Sequence, residues 1–127
     1  MKTKQLYENL KKAVGKMEEA LGFENTEPMR ESTIQRFEYT FELSWKLMSR
    51  ILKDQGMAEV GVKNIIRAAA QLELIDNVEK WFDFAKNRNL ASHIYHEDIA
   101  IKVYEVARGD FAVFVKNLLE KAEKMID

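Results

Sequence analysis

The sequence predicts an all-α fold, an antiparallel up-and-down four-helix bundle with one additional short helix. Apolar residues recur at three- and four-residue steps along nearly the whole chain. One proline and five glycines in 127 residues leave few places to break a helix, and those few fall where the amphipathic segments end. No repeat, low-complexity tract or interior linker intervenes, so residues 1–127 are expected to form one helical domain. Short connections between long helices favour antiparallel neighbours.

Leu6, Leu10, Val14, Met17 and Leu21 predict a first helix over roughly 3–21, with Gly22 placed for a left-handed cap. After a polar loop, Pro28 suits the first turn of a second helix, where its missing N–H costs nothing. That helix runs towards Gln55-Gly56 on a seam of Ile34, Phe37, Phe41, Trp45, Met48 and Leu52. Thr40, Leu47 and Ile51 widen the seam enough to face several neighbours, as a central bundle member would. A shorter helix is predicted over roughly 62–73, followed by Leu74-Ile75 stapling the connection. Asp76 and Glu79 form a capping box that opens a helix over roughly 77–95. Glu97-Asp98 start a last segment with Tyr104, Ala107, Phe111, Phe114, Leu118, Ala122 and Met125 in step, kinked or split at Gly109.

Twenty Lys+Arg against 21 Asp+Glu leave a formal charge of −1, so any anion or RNA site has to be local. The absence of cysteine excludes disulfides, thiolate metal sites and cysteine nucleophiles. No apolar run approaches the roughly 20 residues that span a bilayer, and the N-terminal stretch turns amphipathic and acidic at once, unlike a signal peptide. A cytoplasmic protein without membrane association is the expectation.

The informative stretch lies at the end of the fourth predicted helix. At about 100° per residue, Val78, Trp81, Phe82 and Ala85 set its buried stripe. Continued two turns, the stripe meets Asn89 and Ser92 near its middle, with Arg88 and His93 on its flanks about 140° apart. Such groups buried without partners cost on the order of 1–3 kcal/mol each, so the site is wet, paired across an interface or occupied by a ligand. A helix end leaving the core is the plain alternative. Both histidines, His93 and His96, lie here, and imidazole is the side chain suited to moving a proton near neutral pH.

Arg88 and His93 suit RNA phosphodiester cleavage, the guanidinium holding phosphate through parallel hydrogen bonds and the imidazole taking the 2′-hydroxyl proton. The product is a 2′,3′-cyclic phosphate, and neither metal nor cofactor is required. Arginine also stabilises transition-state charge, while Asn89 orients phosphate or His93. Because 140° on one helix aims the two side chains apart, about a two-fold axis is the easier place to build the site, and a homodimer is expected.

Competing readings attach to the same residues. His93-x-x-His96 with Glu97 or Asp98 lacks a defined third metal ligand and is set aside. Phe37, Phe41, Trp45, Phe111 and Phe114 read as core rather than as base-stacking platforms. Glu38 and Glu42 read as an acid pair or, more ordinarily, as a solvated or salt-bridged face. The lysines at 2, 4, 11 and 12 and at 116, 121 and 124 serve mainly solubility, although the first cluster is able to attract an acidic partner or RNA backbone.

The stretch Arg88-Asn89-Leu90-Ala91-Ser92-His93-Ile94-Tyr95 resembles the motif of HEPN-domain proteins, in the branch of nucleotidyltransferase substrate-binding proteins. Arg88, Asn89 and His93 match Arg-polar-His with four residues between Arg and His, and Tyr95 completes the Arg-x4-His-x-Tyr variant of HEPN toxins paired with minimal nucleotidyltransferases. Ser32 to Lys46 resembles the branch's second-helix signature, as do Ile66-Arg67-Ala68-Ala69 and Leu74-Ile75-Asp76 the segments before the motif helix. Ile94 stands where threonine is frequent, His96 where asparagine or aspartate is frequent, and Glu73 where glycine often precedes Leu-Ile.

The resemblance implies a dimer whose Arg88 and His93 line a shared cleft, and a separate minimal nucleotidyltransferase as partner. It implies a metal-independent endoribonuclease toxin that the partner silences by adenylylating Tyr95. On the helical wheel Tyr95 falls about 20° from Arg88, where an adenylyl group obstructs the cleft. The alternative is a non-catalytic substrate-binding subunit associating with the nucleotidyltransferase. A third reading is a plain helical dimer with a wet polar interface.

Overall fold

A computed structural model describes residues 1–126. Six α-helices follow one another: α1 Thr3–Ala20, α2 Glu27–Asp54, α3 Val62–Gln71, α4 Val78–Leu90, α5 Glu97–Arg108 and α6 Phe111–Glu123, with a 3₁₀ turn at Ala91–His93. There is no strand among the described residues. The last predicted segment is therefore split at Gly109 into α5 and α6. A Cβ at residue 109 would meet the Glu105 carbonyl oxygen at 3.3 Å, so the smallest residue suits this tight reversal.

Several helix ends fall where caps and turn residues put them. Thr26 caps α2 by accepting from the Met29 N–H, with Pro28 in the first turn. At the other end Gly56 has φ +74°, its N–H bonds the Lys53 carbonyl and the Met57 N–H bonds that of Leu52, a Schellman closure. Gly22 does not play that part for α1. The helix stops at Ala20, and Leu21, Gly22 and Phe23 leave through i→i−3 bonds to Glu18, Glu19 and Ala20 without a left-handed residue. Leu21, expected in the core, is 43% exposed. For α4 the cap is Asn77, whose side chain accepts from the Lys80 N–H at 3.1 Å, rather than Asp76. Asp76 lies instead 3.7 Å from Lys121 Nζ on α6.

The close of α3 carries a conformational cost. Glu73 has φ +64°, with the Glu73 N–H on Ala70 and the Leu74 N–H on Ala69, a second Schellman closure built with a Cβ-bearing residue. The left-handed conformation costs an L-residue about 1–2 kcal/mol, partly offset by glycine's greater unfolded-state entropy. Glu73→Gly is thus expected to stabilise the protein by about 0.5–1 kcal/mol, read as a higher urea midpoint at unchanged slope.

The core lies around α2, which packs against every other α-helix. α1 runs antiparallel to it: Thr3 hydrogen-bonds Asp54 at one end, and Arg36 donates to the Lys16 carbonyl near the other at 2.8 Å. The buried hydroxyls Thr33, Thr40 and Ser44 each donate to the carbonyl four residues back at 2.7–2.8 Å, so the polar part of the α2 seam is satisfied within the helix. Phe84 is the aromatic hub, its ring centroid 5.4 Å from Trp81, 5.0 Å from Phe111 and 5.7 Å from Phe114, all edge-on. Phe37 and Phe41 join it through Phe111 and Trp81. No helix among the described residues is long and apolar enough to cross a membrane.

Candidate active site

Phe84, omitted from the predicted stripe of α4, decides how that helix sits. With its side chain fully buried, the inward face runs through Trp81, Phe84, Ala85, Asn87 and on to Ala91, while Phe82 and Val78 are only half-buried. The face is rotated from the one expected, and Asn89 and Ser92 point to solvent. Their exposure answers the burial cost argued from the wheel. The buried polar residue is Asn87, whose Nδ2 donates to the Asp83 carbonyl at 2.9 Å and whose Oδ1 has no partner. Its step of three from Phe84 was the signal available in the sequence.

Arg88, in the last turn of α4, is half-buried and reaches α2, its Nε 2.7 Å from Glu42 Oε1. The contact is an ion pair without the alignment of a hydrogen bond, leaving the buried Nε–H without a well-directed acceptor. Glu42 Oε2 accepts from the Trp45 indole N–H at 3.2 Å. The acid pair of the sequence is thus engaged at one member. The other, Glu38, has its carboxyl pKa raised, by burial first and by the Glu42 charge, against the lowering pull of Arg88. A raised carboxyl pKa favours the folded state fully below the ordinary carboxylate value, and that contribution is lost as pH rises through the raised value. Glu38→Gln is therefore expected to flatten a decline in stability across that mildly acidic window, read as urea midpoints against pH.

Arg88 and Glu42 lie in a cleft of about 620 Å³ between α2, α3 and α4, with Phe41, Trp45 and Phe82 as apolar walls and Lys63, Lys86, Glu79, Asp83 and Asn89 among the polar ones. Trp45 is accordingly a half-buried wall of this cleft as well as a neighbour of the core.

α4 ends at Leu90, five residues before the predicted end, so the wheel that placed His93 and Tyr95 relative to Arg88 does not extend to them. The Ala91 N–H bonds the Arg88 and Asn87 carbonyls, and Ser92 Oγ donates to the Asn89 carbonyl at 3.0 Å, tightening the chain into the 3₁₀ turn. That turn exposes Ser92, His93, Tyr95 and His96. His93 Nδ1 lies 3.1 Å from Tyr95 Oη, and the Tyr95 ring, 74% exposed, lies 4.5 Å from the His96 ring. Among the described residues no group of three or more His, Cys, Asp or Glu is gathered about a common metal position. Within one chain the structure joins Arg88 to Glu42 and His93 to Tyr95, with Asn89 on the cleft side and Ser92 on the turn.

The sequence pattern of the family described as "Nucleotidyltransferase substrate binding protein like" matches residues 5–124. A Haemophilus influenzae Rd protein named Probable ribonuclease HepT is 36% identical over 93 residues, covering 69% of this chain and 63% of the relative. The chain therefore spans just under two thirds of that relative's length. A solved structure from Thermus thermophilus superposes with a TM-score of 0.81 at 27% identity, over 89% of this chain and 98% of the other. A Haemophilus influenzae structure, described as revealing the fold of a substrate binding domain of a nucleotidyltransferase, gives 0.71 at 27% identity over 95% and 96%. With its family pattern running almost from end to end and its helices superposing on those structures, this chain belongs to the nucleotidyltransferase substrate-binding-protein-like family.

Proposed function

We propose that the chain is the toxin subunit of a HEPN/minimal nucleotidyltransferase pair, a metal-independent endoribonuclease that works as a homodimer and is silenced by adenylylation of Tyr95. The observation that carries this reading is the His93–Tyr95 pair, an imidazole and a phenol 3.1 Å apart on an exposed turn just beyond the helix that carries Arg88. The name of the Haemophilus relative agrees with a ribonuclease.

In the tautomer whose Nδ1–H donates to Tyr95 Oη, His93 Nε2 keeps its lone pair and serves as general base. It takes the ribose 2′-hydroxyl proton as O2′ bonds to phosphorus. The P–O5′ bond breaks and the leaving oxygen collects a proton from water. Arg88 holds the phosphate and stabilises its developing charge, and Asn89 and Ser92 help to orient it. Since Arg88 and His93 address different neighbours within one chain, a complete site draws one from each of two copies.

Adenylylation joins Tyr95 Oη to the α-phosphorus of ATP with release of pyrophosphate. It sets an anion beside His93, which favours the imidazolium and removes the base. The high exposure of Tyr95 gives a partner access to its hydroxyl. The test is cleavage of RNA by the purified chain, scored for 2′,3′-cyclic phosphate ends, before and after incubation with the nucleotidyltransferase and ATP. Wild type is expected to gain an adenylyl mass and fall silent, while Tyr95→Phe gains none and keeps the same rate before and after the incubation, a rate lowered by the loss of the hydroxyl that faces His93 Nδ1. The second reading, a non-catalytic substrate-binding subunit, draws on the guanidinium of Arg88 being already engaged by Glu42. Tight association with the nucleotidyltransferase and no cleavage of any RNA by wild type would establish it instead.

A further inference from the structure

On the face of α2 turned towards α1, away from the Arg88 cleft, a groove of about 480 Å³ runs between the two helices. Lys12, Lys16 and Arg36 line it, with the amides of Asn9 and Gln35 and the ring of Tyr39, and no carboxylate does. In a chain of formal net charge −1, three cations around one groove without a carboxylate in its lining form a local positive field. Lys12 and Lys16 are exposed, and neither has an ion-pair partner among the described residues. Arg36 is held in place: it donates to the Lys16 carbonyl at 2.8 Å, lies 3.9 Å from Glu19 and covers the Phe23 ring at 4.9 Å. Tyr39 is 59% exposed, an aromatic face left open beside the cations.

The groove neighbours the reactive turn through shared lining residues. Gln35 borders both the groove and the next depression along α2, whose lining also includes Ile94. Ile94 in turn borders the hollow beneath Tyr95. Acidic side chains border both of these, Glu31 and Glu38 at the depression and Glu27, Glu31 and Glu97 at the hollow, and none borders the groove.

We propose that the α1–α2 groove is a single-stranded RNA exosite, in which Lys12 and Lys16 hold backbone phosphates, Arg36 fixes the floor and Tyr39 stacks one base. Cations along a groove beside an open aromatic face are how single strands are held without a sequence code. The proposal rests on the ribonuclease reading only in taking RNA as the ligand, and it is tested by binding rather than cleavage.

The experiment measures fluorescence anisotropy of a labelled oligouridine 12-mer with the full chain in a His93→Ala background, which keeps the RNA whole. Lys12→Glu/Lys16→Glu is expected to weaken binding at least tenfold and to flatten the salt dependence by about 1.4 in the log–log slope, the value for two lost single-strand phosphate contacts. Tyr39→Ala is expected to weaken it by about five- to 160-fold. Lys116→Glu/Lys121→Glu makes the same charge change on α6 and serves as control. Binding by the groove variants as tight as the background, or an equal loss in the control, overturns the proposal. So does unchanged RNA affinity with loss of nucleotidyltransferase association, which would make the groove a protein interface. Cleavage is scored separately with the His93 side chain present: groove-dependent binding without Arg88-dependent cleavage refutes the ribonuclease reading and leaves the exosite standing.

Discussion

Arg88→Ala and His93→Ala are each expected to lower RNA cleavage by about a hundredfold or more, the scale for losing a charged phosphate holder or a general base. Both side chains are at least partly exposed, so circular dichroism and the thermal midpoint should show a folded protein in each case. Arg88→Lys keeps the charge but loses the planar fork, and is expected to fall between wild type and alanine. The sharper form of the experiment mixes the two alanine variants. If each site takes Arg88 from one copy and His93 from the other, a mixed dimer has one intact site and one doubly damaged site. Random re-pairing of equal amounts then restores about a quarter of wild-type activity. A site built within one chain regains nothing on mixing, and that outcome would remove the shared-cleft mechanism.

Phe84→Ala is expected to cost about 3–5 kcal/mol of stability, a large part of what a domain of this size possesses. Phe84 is fully buried, and its ring meets Trp81, Phe111 and Phe114, so truncation opens a void at the junction of α4 and α6. Phe84→Leu refills most of that volume and should recover the greater part of the loss. Guanidinium unfolding of both variants measures the difference. A loss below about 1 kcal/mol for alanine would mean that the junction collapses onto the void, contrary to the close packing expected of such a core.

Periodicity carried most of the fold because helix faces and breakers are local properties. The central place of α2 was legible in its wide seam, as were Pro28 in its first turn and the break at Gly109. Three features were not legible for physical reasons. Whether Asp76 or Asn77 caps α4 depends on one residue of register, and both side chains are competent. The left-handed Glu73 runs against its own residue preference, and the one hint of it was that glycine is frequent at this place in the family the sequence resembles. The early end of α4 comes where a 3₁₀ turn takes over after Leu90, in a stretch with neither glycine nor proline to announce it. Within the candidate site, the residue types of Arg88, Asn89, Ser92, His93 and Tyr95 were readable as a motif. The Arg88–Glu42 pair spans 46 positions and belongs to tertiary structure alone.

The contrast between the two ends of α4 has a dynamic consequence. Its beginning is clamped by the Asn77 cap, by Lys80 on Asp110 at 2.9 Å and by Trp81 and Phe84 in the core. Beyond Ala91 the chain exposes four polar or aromatic side chains held by little more than short-range bonds. Amide protons of the tip should consequently exchange through small openings while those around Trp81 wait for global unfolding. An incoming protein can reshape the tip at low cost and leave the hub undisturbed.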